Sequence, residues 1–382
     1  MKAINLNKSA SVKFFRQFDY ILFGIVLGLS IIGLLTLFSA TRVMRSRDGD
    51  RIFQMQVIYS VLGYIIMIIL SRVDYNALRT LSPYAYIIGV FSLLAVFAFP
   101  PIYGSRRWIN VGGFTFQSSE LMKIVLVIMI SFYLSKYEDE PLDKMKNTIK
   151  IGSYILLPVG LILLQPDFGT CIITIFILAT IIFVSGIKYK YIIWSAAAGA
   201  VIIPLAWIFI ISKDTTRYNR IINFLNPDRD LSGTGLNVWF SKIAIGSGGF
   251  WGKGFLQGTQ TQNASVPVKE SDFIFSVLGE EFGLIGVMIV VLLVLALILR
   301  GMYISANSRD KFGSYMAVGF TALFAVHFFQ SIGMSMGMLP VTGIPLPFIS
   351  SGGSALVMYY AAIGIMLSIS MRRKREKHSF IG

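Results

Sequence analysis

Apolar runs of about 20 residues recur along this chain, and they restrict its fold more than any other feature. They lie near 19–40, 54–71, 83–101, 119–136, 150–164, 169–187, 190–212, 273–300, 313–336 and 349–371. A bilayer hydrocarbon core about 30 Å thick requires runs of this length, and soluble domains do not carry them repeatedly. Composition agrees: 55% of the residues are hydrophobic and only 14% charged, against about a quarter charged in an ordinary soluble domain. The expectation is an all-α integral membrane protein with about ten transmembrane helices. Runs five and six are short and nearly fused around QPDFGT (165–170). Residues 19–371 read as one polytopic membrane domain, preceded by a cytoplasmic segment, 1–18, and followed by a basic cytoplasmic tail, 372–382. The polar, basic start precedes a full-length span, which reads as a retained signal-anchor.

Lys and Arg in the short loops set the orientation. With the N-terminus in the cytoplasm, the cytoplasmic segments hold Lys2, Lys8, Lys13, Arg16, Arg72, Arg79, Lys136, Lys144, Lys146, Lys150, Lys188, Lys190, Arg300, Arg309, Lys311 and RRKREK. The opposite short loops hold Arg42, Arg45, Arg47, Arg51, Arg106 and Arg107. Both termini are therefore expected in the cytoplasm. The net charge of +15 largely reflects this bias, and its natural partner is anionic lipid headgroup. No RNA-stacking motif accompanies it, so nucleic acid is not an expected partner. The single Cys171 falls within a span, which excludes an internal disulfide.

Two segments break the rhythm of helix and loop. One is PIYGSRRWINVGGFTFQSSELMK (101–123), polar and glycine-containing. The other is the long loop 213–272 between spans seven and eight, expected outside and partly structured. Its Phe224, Trp239, Phe240, Ile243, Ile245, Phe250 and Trp251 are too many for a solvated linker, and the loop is expected along the membrane interface. Its glycine cluster GSGGFWGKG (246–254) fails as a nucleotide-binding P-loop: Ser247 stands in place of the first glycine, and Gly254 follows Lys253 where Ser or Thr is required. Two readings stand, a turn or re-entrant bend, and a backbone that approaches a phosphate-bearing lipid closely.

Charge inside an apolar run is costly, so such residues face a cavity, pair, or sit at the interface. Glu120 and Lys123 share a helix face, either as cavity residues or as a structural ion pair. Asp167 follows Pro166 between two short spans, where it can hold freed amides or cap a helix. On one continuous helix Asp272 and Glu280 are about 80° apart and Glu281 lies nearly opposite Asp272. Asp272 and Glu280 are therefore expected to face the cavity, with Glu281 pairing a neighbouring helix. A helix-start acid favoured by the macrodipole is the alternative for Asp272. His327 reads as a packing histidine, the methionines of GMSMGML (333–339) as packing filler, and no Cys/His cluster supports structural zinc. An acid at an outer mouth fits an enzyme acting on a lipid-linked substrate; a transporter would place acids at the midplane between broken helices.

Several stretches together resemble the SEDS family of shape, elongation, division and sporulation proteins, in its RodA-type members. They are GSRRWINVGGFTFQSSELMK (104–123), QPDFGT, FLNPDRD through GFLQGTQ (224–260), SDFIFSVLGEEFGLIG (271–286) and LPVTGIPLPFISSGGS (339–354). VTGIPLPF is closer to RodA than to the division protein FtsW. Three positions depart from the family pattern: Ser118 stands for a proline, Ser271 for a threonine and Ser351 for an aromatic residue.

The resemblance implies a peptidoglycan glycosyltransferase that polymerises lipid II for cell-wall elongation and rod shape. It further implies a bacterial cytoplasmic membrane location, a class B penicillin-binding protein as crosslinking partner, and contact with elongation-machinery proteins. It assigns Asp272 as the catalytic base and implies Arg107, Glu120, Lys123, Asp167, Lys242 and Ser350 as cavity residues; Glu280 is expected to buttress them. The departing pyrophosphate needs positive charge, from Arg107, Lys123 or Lys242, or from a divalent ion, Mg or Mn, bridging to a carboxylate. No nucleotide or haem is expected. The competing expectation is a flippase for the same lipid-linked precursor.

Overall fold

The computed structural model describes residues 17–42, 47–101, 105–111, 114–136, 145–186, 224, 234–263 and 266–373. The expected seventh span, much of the long loop before residue 234, the N-terminal segment and most of the basic tail lie outside the described residues. The helices are α1 (Tyr20–Arg42), α2 (Arg47–Arg72), α3 (Ala77–Ala95), α4 (Ser118–Lys136), α5 (Met145–Leu164), α6 (Phe168–Val184), α7 (Thr234–Ser247), α8 (Ile274–Ala306), α9 (Lys311–Ser335) and α10 (Ser354–Met371). Seven described helices are long and apolar enough to cross a membrane, and the two short ones, Ile149–Leu164 and Phe168–Val184, occupy the positions of expected spans five and six. The chain is thus a multi-pass membrane protein, with helices at nine of the ten expected places.

The most buried helices form the interior. Windows of α4, α9 and α10 are 83%, 72% and 78% buried, whereas those of α2, α3 and α8 are 28%, 28% and 22% buried. The outer helices show apolar side chains such as Ile65, Phe91 and Leu292 outward, as a lipid-facing surface requires. Close approach in the interior uses small residues: a Cβ on Gly33 would collide with the Phe348 carbonyl, and one on Gly364 would stand 2.8 Å from the Met67 carbonyl. At the end of α8 away from its first turn, buried Asp19 ties three elements together. It accepts from Arg300 Nε of α8 at 3.0 Å and from Ser370 Oγ of α10 at 2.7 Å, and from the Leu22 amide of α1 at 3.1 Å.

The segment 101–123 adds a feature that the all-α expectation lacked. Residues Trp108–Val111 (β1) and Phe114–Gln117 (β2) pair antiparallel, with Trp108 opposite Gln117 and Val111 opposite Phe114. The ribbon leads directly into α4. It is anchored to the start of α10 by the Gln117 amide, which donates to Ser354 Oγ at 3.0 Å.

Candidate active site

The connection from α9 to α10 organises the site. Pro340, Pro345 and Pro347 remove amide donors, and Gly337, Gly343 and Gly353 have positive φ, so residues 336–353 cannot continue either helix. The segment passes Lys242, the start of α6 and Asp272 in turn. A Cβ on Gly337 would collide with Lys242 Cε; Gly169, just inside α6, packs on Thr342; and a Cβ on Gly343 would stand 3.5 Å from Asp272 Oδ2. Ser350 Oγ then donates to the Ser271 carbonyl at 2.6 Å and accepts the Leu346 amide at 2.9 Å. The Ser351 amide reaches the Glu270 carbonyl at 2.9 Å, and Gln56 of α2 holds the Ser350 carbonyl at 2.9 Å.

Asp272 stands on a tight turn just outside α8. Phe273 occupies the N-cap position without a side-chain cap bond, so Asp272 precedes the helix instead of capping it. The Val268 carbonyl collects the amides of Ser271 at 3.3 Å and Asp272 at 3.2 Å. Val268 itself has φ +53° and Phe348 φ +64°, conformations costly for a β-branched or bulky residue. Strain of this kind persists where surroundings over-determine it, and functional sites are common places for it. The Asp272 side chain is half-buried, and Ser271 Oγ donates to its Oδ1 at 3.0 Å. On the same turn burial pushes the Lys269 ammonium down from its ordinary pKa, against the pull of Glu270, Glu280 and Glu281. Burial pushes the Glu270 carboxyl up, and the charge of Asp272 adds to that.

A second cluster surrounds Asp167, which caps α6 by accepting the Thr170 amide at 3.3 Å. It also pairs with Arg107 Nη1 at 3.5 Å and accepts from Gln117 Nε2 at 3.1 Å. Capping and charge pairing therefore coexist, and the pair joins the β ribbon to the break between α5 and α6. Deeper in, Lys123 Nζ lies 2.8 Å from Glu120 Oε1 and 2.8 Å from His327 Nε2. His327 Nδ1 lies 2.8 Å from the Leu323 carbonyl. A carbonyl only accepts, so Nδ1 carries the proton and Nε2 accepts from the lysine. His327 is enclosed with both nitrogens engaged, as expected of a packing histidine.

Glu280 and Glu281 occupy a break in α8 at Gly283, whose φ of 63° and ψ of −161° are not helical. The break frees four backbone groups, and the glycine cluster satisfies them. Lys253 and Gly254 amides donate to the Glu280 and Glu281 carbonyls at 2.9 and 3.1 Å, while Leu284 and Ile285 amides donate to the Gly249 and Phe250 carbonyls at 3.0 and 3.3 Å. Side chains at Gly248, Gly252 or Gly283 would collide with the opposing backbone. The cluster is the turn that one sequence reading expected, with positive φ at Gly249, Gly252 and Gly254, and its glycines also allow close backbone approach to this helix. Glu280 is fully buried and accepts from Lys253 Nζ at 2.7 Å, the Gln260 amide at 2.8 Å, and the Thr261 amide and Oγ1 at 2.9 and 2.8 Å. Glu281 accepts from Ser39 Oγ of α1 at 2.5 Å, the neighbouring-helix partner expected for it.

With this geometry in hand, the family model described as cell cycle protein (FtsW, RodA, SpoVE) matches residues 19–375. The chain belongs to that family. The peptidoglycan glycosyltransferase MrdB of Escherichia coli K12 is 39% identical over 314 residues, covering 82% of this chain and 84% of that one. A probable peptidoglycan glycosyltransferase FtsW of Geobacter sulfurreducens is 34% identical over 97% of this chain and 99% of its own length. Among solved structures, a chain from a peptidoglycan synthase complex described for the coordination of polymerization and crosslinking matches with TM-score 0.78 at 25% identity, over 92% of this chain and 97% of that one. Rod shape determining protein RodA of Thermus thermophilus shares the fold with TM-score 0.69 at 24% identity, over 94% of this chain and 98% of that one.

In this family member the structure gathers Asp272, Ser350, Lys242 and the Asp167–Arg107 pair along one connecting segment. Glu120 and Lys123 form their own enclosed pair. Glu280 is engaged by the loop 253–261, and the helical-wheel argument that aimed it beside Asp272 assumed a helix continuous through residue 272. Sequence reasoning passed over Gln56, Lys269 and Glu270. Lys269 and Glu270 lie next to the quoted SDFIF motif but read as loop polarity, and the role of Gln56 depends on contacts nearly 300 residues distant. Met336 and Met338 are 43% and 66% exposed, so the GMSMGML methionines are not all packing filler. Among the described residues no group of three or more His, Cys, Asp or Glu side chains could hold a metal ion.

Proposed function

We propose that this chain is a peptidoglycan glycosyltransferase that polymerises lipid II during cell-wall elongation, with Asp272 as general base. The observation that carries this reading is the half-buried Asp272 on a strained turn at the head of α8, in contrast to Glu280 at 0%, Glu281 at 1%, Asp167 at 3% and Glu120 at 5% exposure. Glu270, two residues earlier on the same turn, is half-buried as well, and the SDFIF motif distinguishes Asp272 from it. A base must reach substrate, and Asp272 retains access. The acceptor hydroxyl gives its proton to the Asp272 carboxylate as its oxygen attacks the anomeric carbon of the donor. The bond to the lipid pyrophosphate breaks in line, the leaving group takes the electron pair, and the configuration inverts. Such a positioned base contributes about 10²–10⁴-fold. Asp272 then returns its proton to solvent.

The leaving pyrophosphate meets Arg107 and the exposed Lys242; Lys123 is committed to Glu120 and His327. Ser350 acts through the backbone of Ser271 and fixes the turn that carries the base. The protein resides in the bacterial cytoplasmic membrane with both termini cytoplasmic, and a class B penicillin-binding protein crosslinks its product. The flippase reading is not favoured, because the curated relatives are named as glycosyltransferases. The test is lipid II polymerisation by the purified full chain with a partner that lacks a glycosyltransferase domain, comparing wild type with Asp272→Asn. Glycan from wild type alone, with equal thermal melting of both proteins, supports the reading. Equal glycan from the variant refutes the base, and no glycan from wild type refutes the polymerase.

A further inference from the structure

We propose that Lys269 and Glu280 are positioning residues that hold Asp272 in place by gripping one residue of the long outer loop, Thr261, through the amide on its N-terminal side and the carbonyl on its C-terminal side. The inference rests on the reading of Asp272 as the base. Lys269 is 2% exposed, and its Nζ donates to the Thr261 carbonyl. The amide and hydroxyl of the same Thr261 donate to Glu280 Oε2 at 2.9 and 2.8 Å. A cation therefore holds the acceptor end of the residue and an anion its donor end. Charge-assisted bonds of this kind are short and strong.

The chain positions of the two charges give the grip its consequence. Lys269 lies three residues before Asp272 and Glu280 eight after it, so the Thr261 tie closes a loop with the base between its ends. The opposite side of the turn is pinned by the Ser351 amide on Glu270 and by Ser350 Oγ on Ser271. Val266 and Phe273, close to Lys269 along the chain, form a small apolar cluster with Ala244 and Met334. A methionine at 269 would fill similar volume there without a buried charge. The lysine supplies direction: it sets how far the turn stands from the first two turns of α8. Displacement of a catalytic group by about 1 Å can cost about 10²-fold in rate.

The experiment measures kcat and KM for lipid II with the full chain and its crosslinking partner, for wild type, Lys269→Met, Lys269→Arg, Glu280→Gln and the Lys269→Met/Glu280→Gln pair. Amide hydrogen exchange is followed in segments 253–262 and 266–276. The expected result for Lys269→Met is a kcat lowered about tenfold or more, KM within about twofold of wild type, and faster exchange in both segments. Lys269→Arg recovers most of the kcat, and the double variant loses less than the product of the single losses. A Lys269→Met protein with wild-type kcat, or with raised KM and intact kcat, overturns the proposal, as does unchanged exchange. If Lys269→Met does not fold, Thr261→Val removes one donor to Glu280 and carries the same comparison, with unchanged kcat again overturning it. Activity retained by Asp272→Asn defeats the base reading, whereas wild-type behaviour of Lys269→Met beside an inactive Asp272→Asn defeats only the positioning.

Discussion

Asp272 and Glu280 lie in one segment, SDFIFSVLGEEFG, and the fold uses them in opposite ways. Glu280 is fully enclosed and takes hydrogen bonds from Lys253, Thr259, Gln260 and Thr261. Asp272 precedes the helix, is half-buried, and lies against the glycine-rich connection at Gly343. Burial makes a carboxylate a structural node when donors surround it; partial exposure makes it available to substrate. The proposed function, a lipid-linked substrate admitted beside a precise base, uses both kinds of acid. The enclosed one fixes the loop, and the half-buried one is the proposed base.

The largest expected effect separates the two by activity. Asp272→Asn lowers polymerisation about 10²–10⁴-fold with an unchanged melting temperature, as measured on purified protein. The next separates them by stability. Glu280→Ala strands several donors and the Lys253 ammonium, at a cost of about 3–5 kcal/mol, and a melting temperature equal to wild type would break the comparison. Gly283→Val tests the helix break itself. It places a β-branched residue at φ 63° against the Gly252 amide, and the expected outcome is a protein that melts well below wild type or is not recovered from the membrane.

The smallest effect concerns pH. Burial, with Asp272 close by, raises the folded-state pKa of Glu270 above its unfolded value, while Lys269 pulls it down. A raised carboxyl pKa costs stability above the unfolded pKa, near 4.3, because there the unfolded chain ionises more readily than the folded one. Glu270→Gln removes that cost. It is expected to melt slightly above wild type at pH 7–8 and alike at about pH 3, where the carboxyl is protonated in both the folded and the unfolded chain. A difference of equal size at both pH values would assign the effect to packing.

Much of the fold was legible because membrane spans are local features of the sequence. Among the described residues, seven helices long enough to span and two shorter ones stand where apolar runs predict them, and Asp167 announced its cap by standing just before an apolar run. The functional geometry was less legible because it is non-local. The glycines at 246–254 serve carbonyls and amides freed some 30 residues later, and only Gly283 within the apolar run hinted at the break. The wheel that placed Glu280 beside Asp272 failed for a related reason: a turn held by the Val268 carbonyl precedes α8. Ser350 stood out through the family motif, but its work on the Ser271 carbonyl depends on two segments brought together across 79 residues.

The most direct test of this division of labour is the rate of lipid II polymerisation per folded molecule for Asp272→Asn and Glu280→Gln, measured beside wild type with melting curves for all three. Asp272→Asn is expected to melt like wild type and make almost no glycan. Glu280→Gln is expected to melt lower and keep substantial activity, about a tenth of wild type, in its folded fraction. Substantial polymerisation by folded Asp272→Asn, or a Glu280→Gln protein that is fully stable and inactive, would contradict the account.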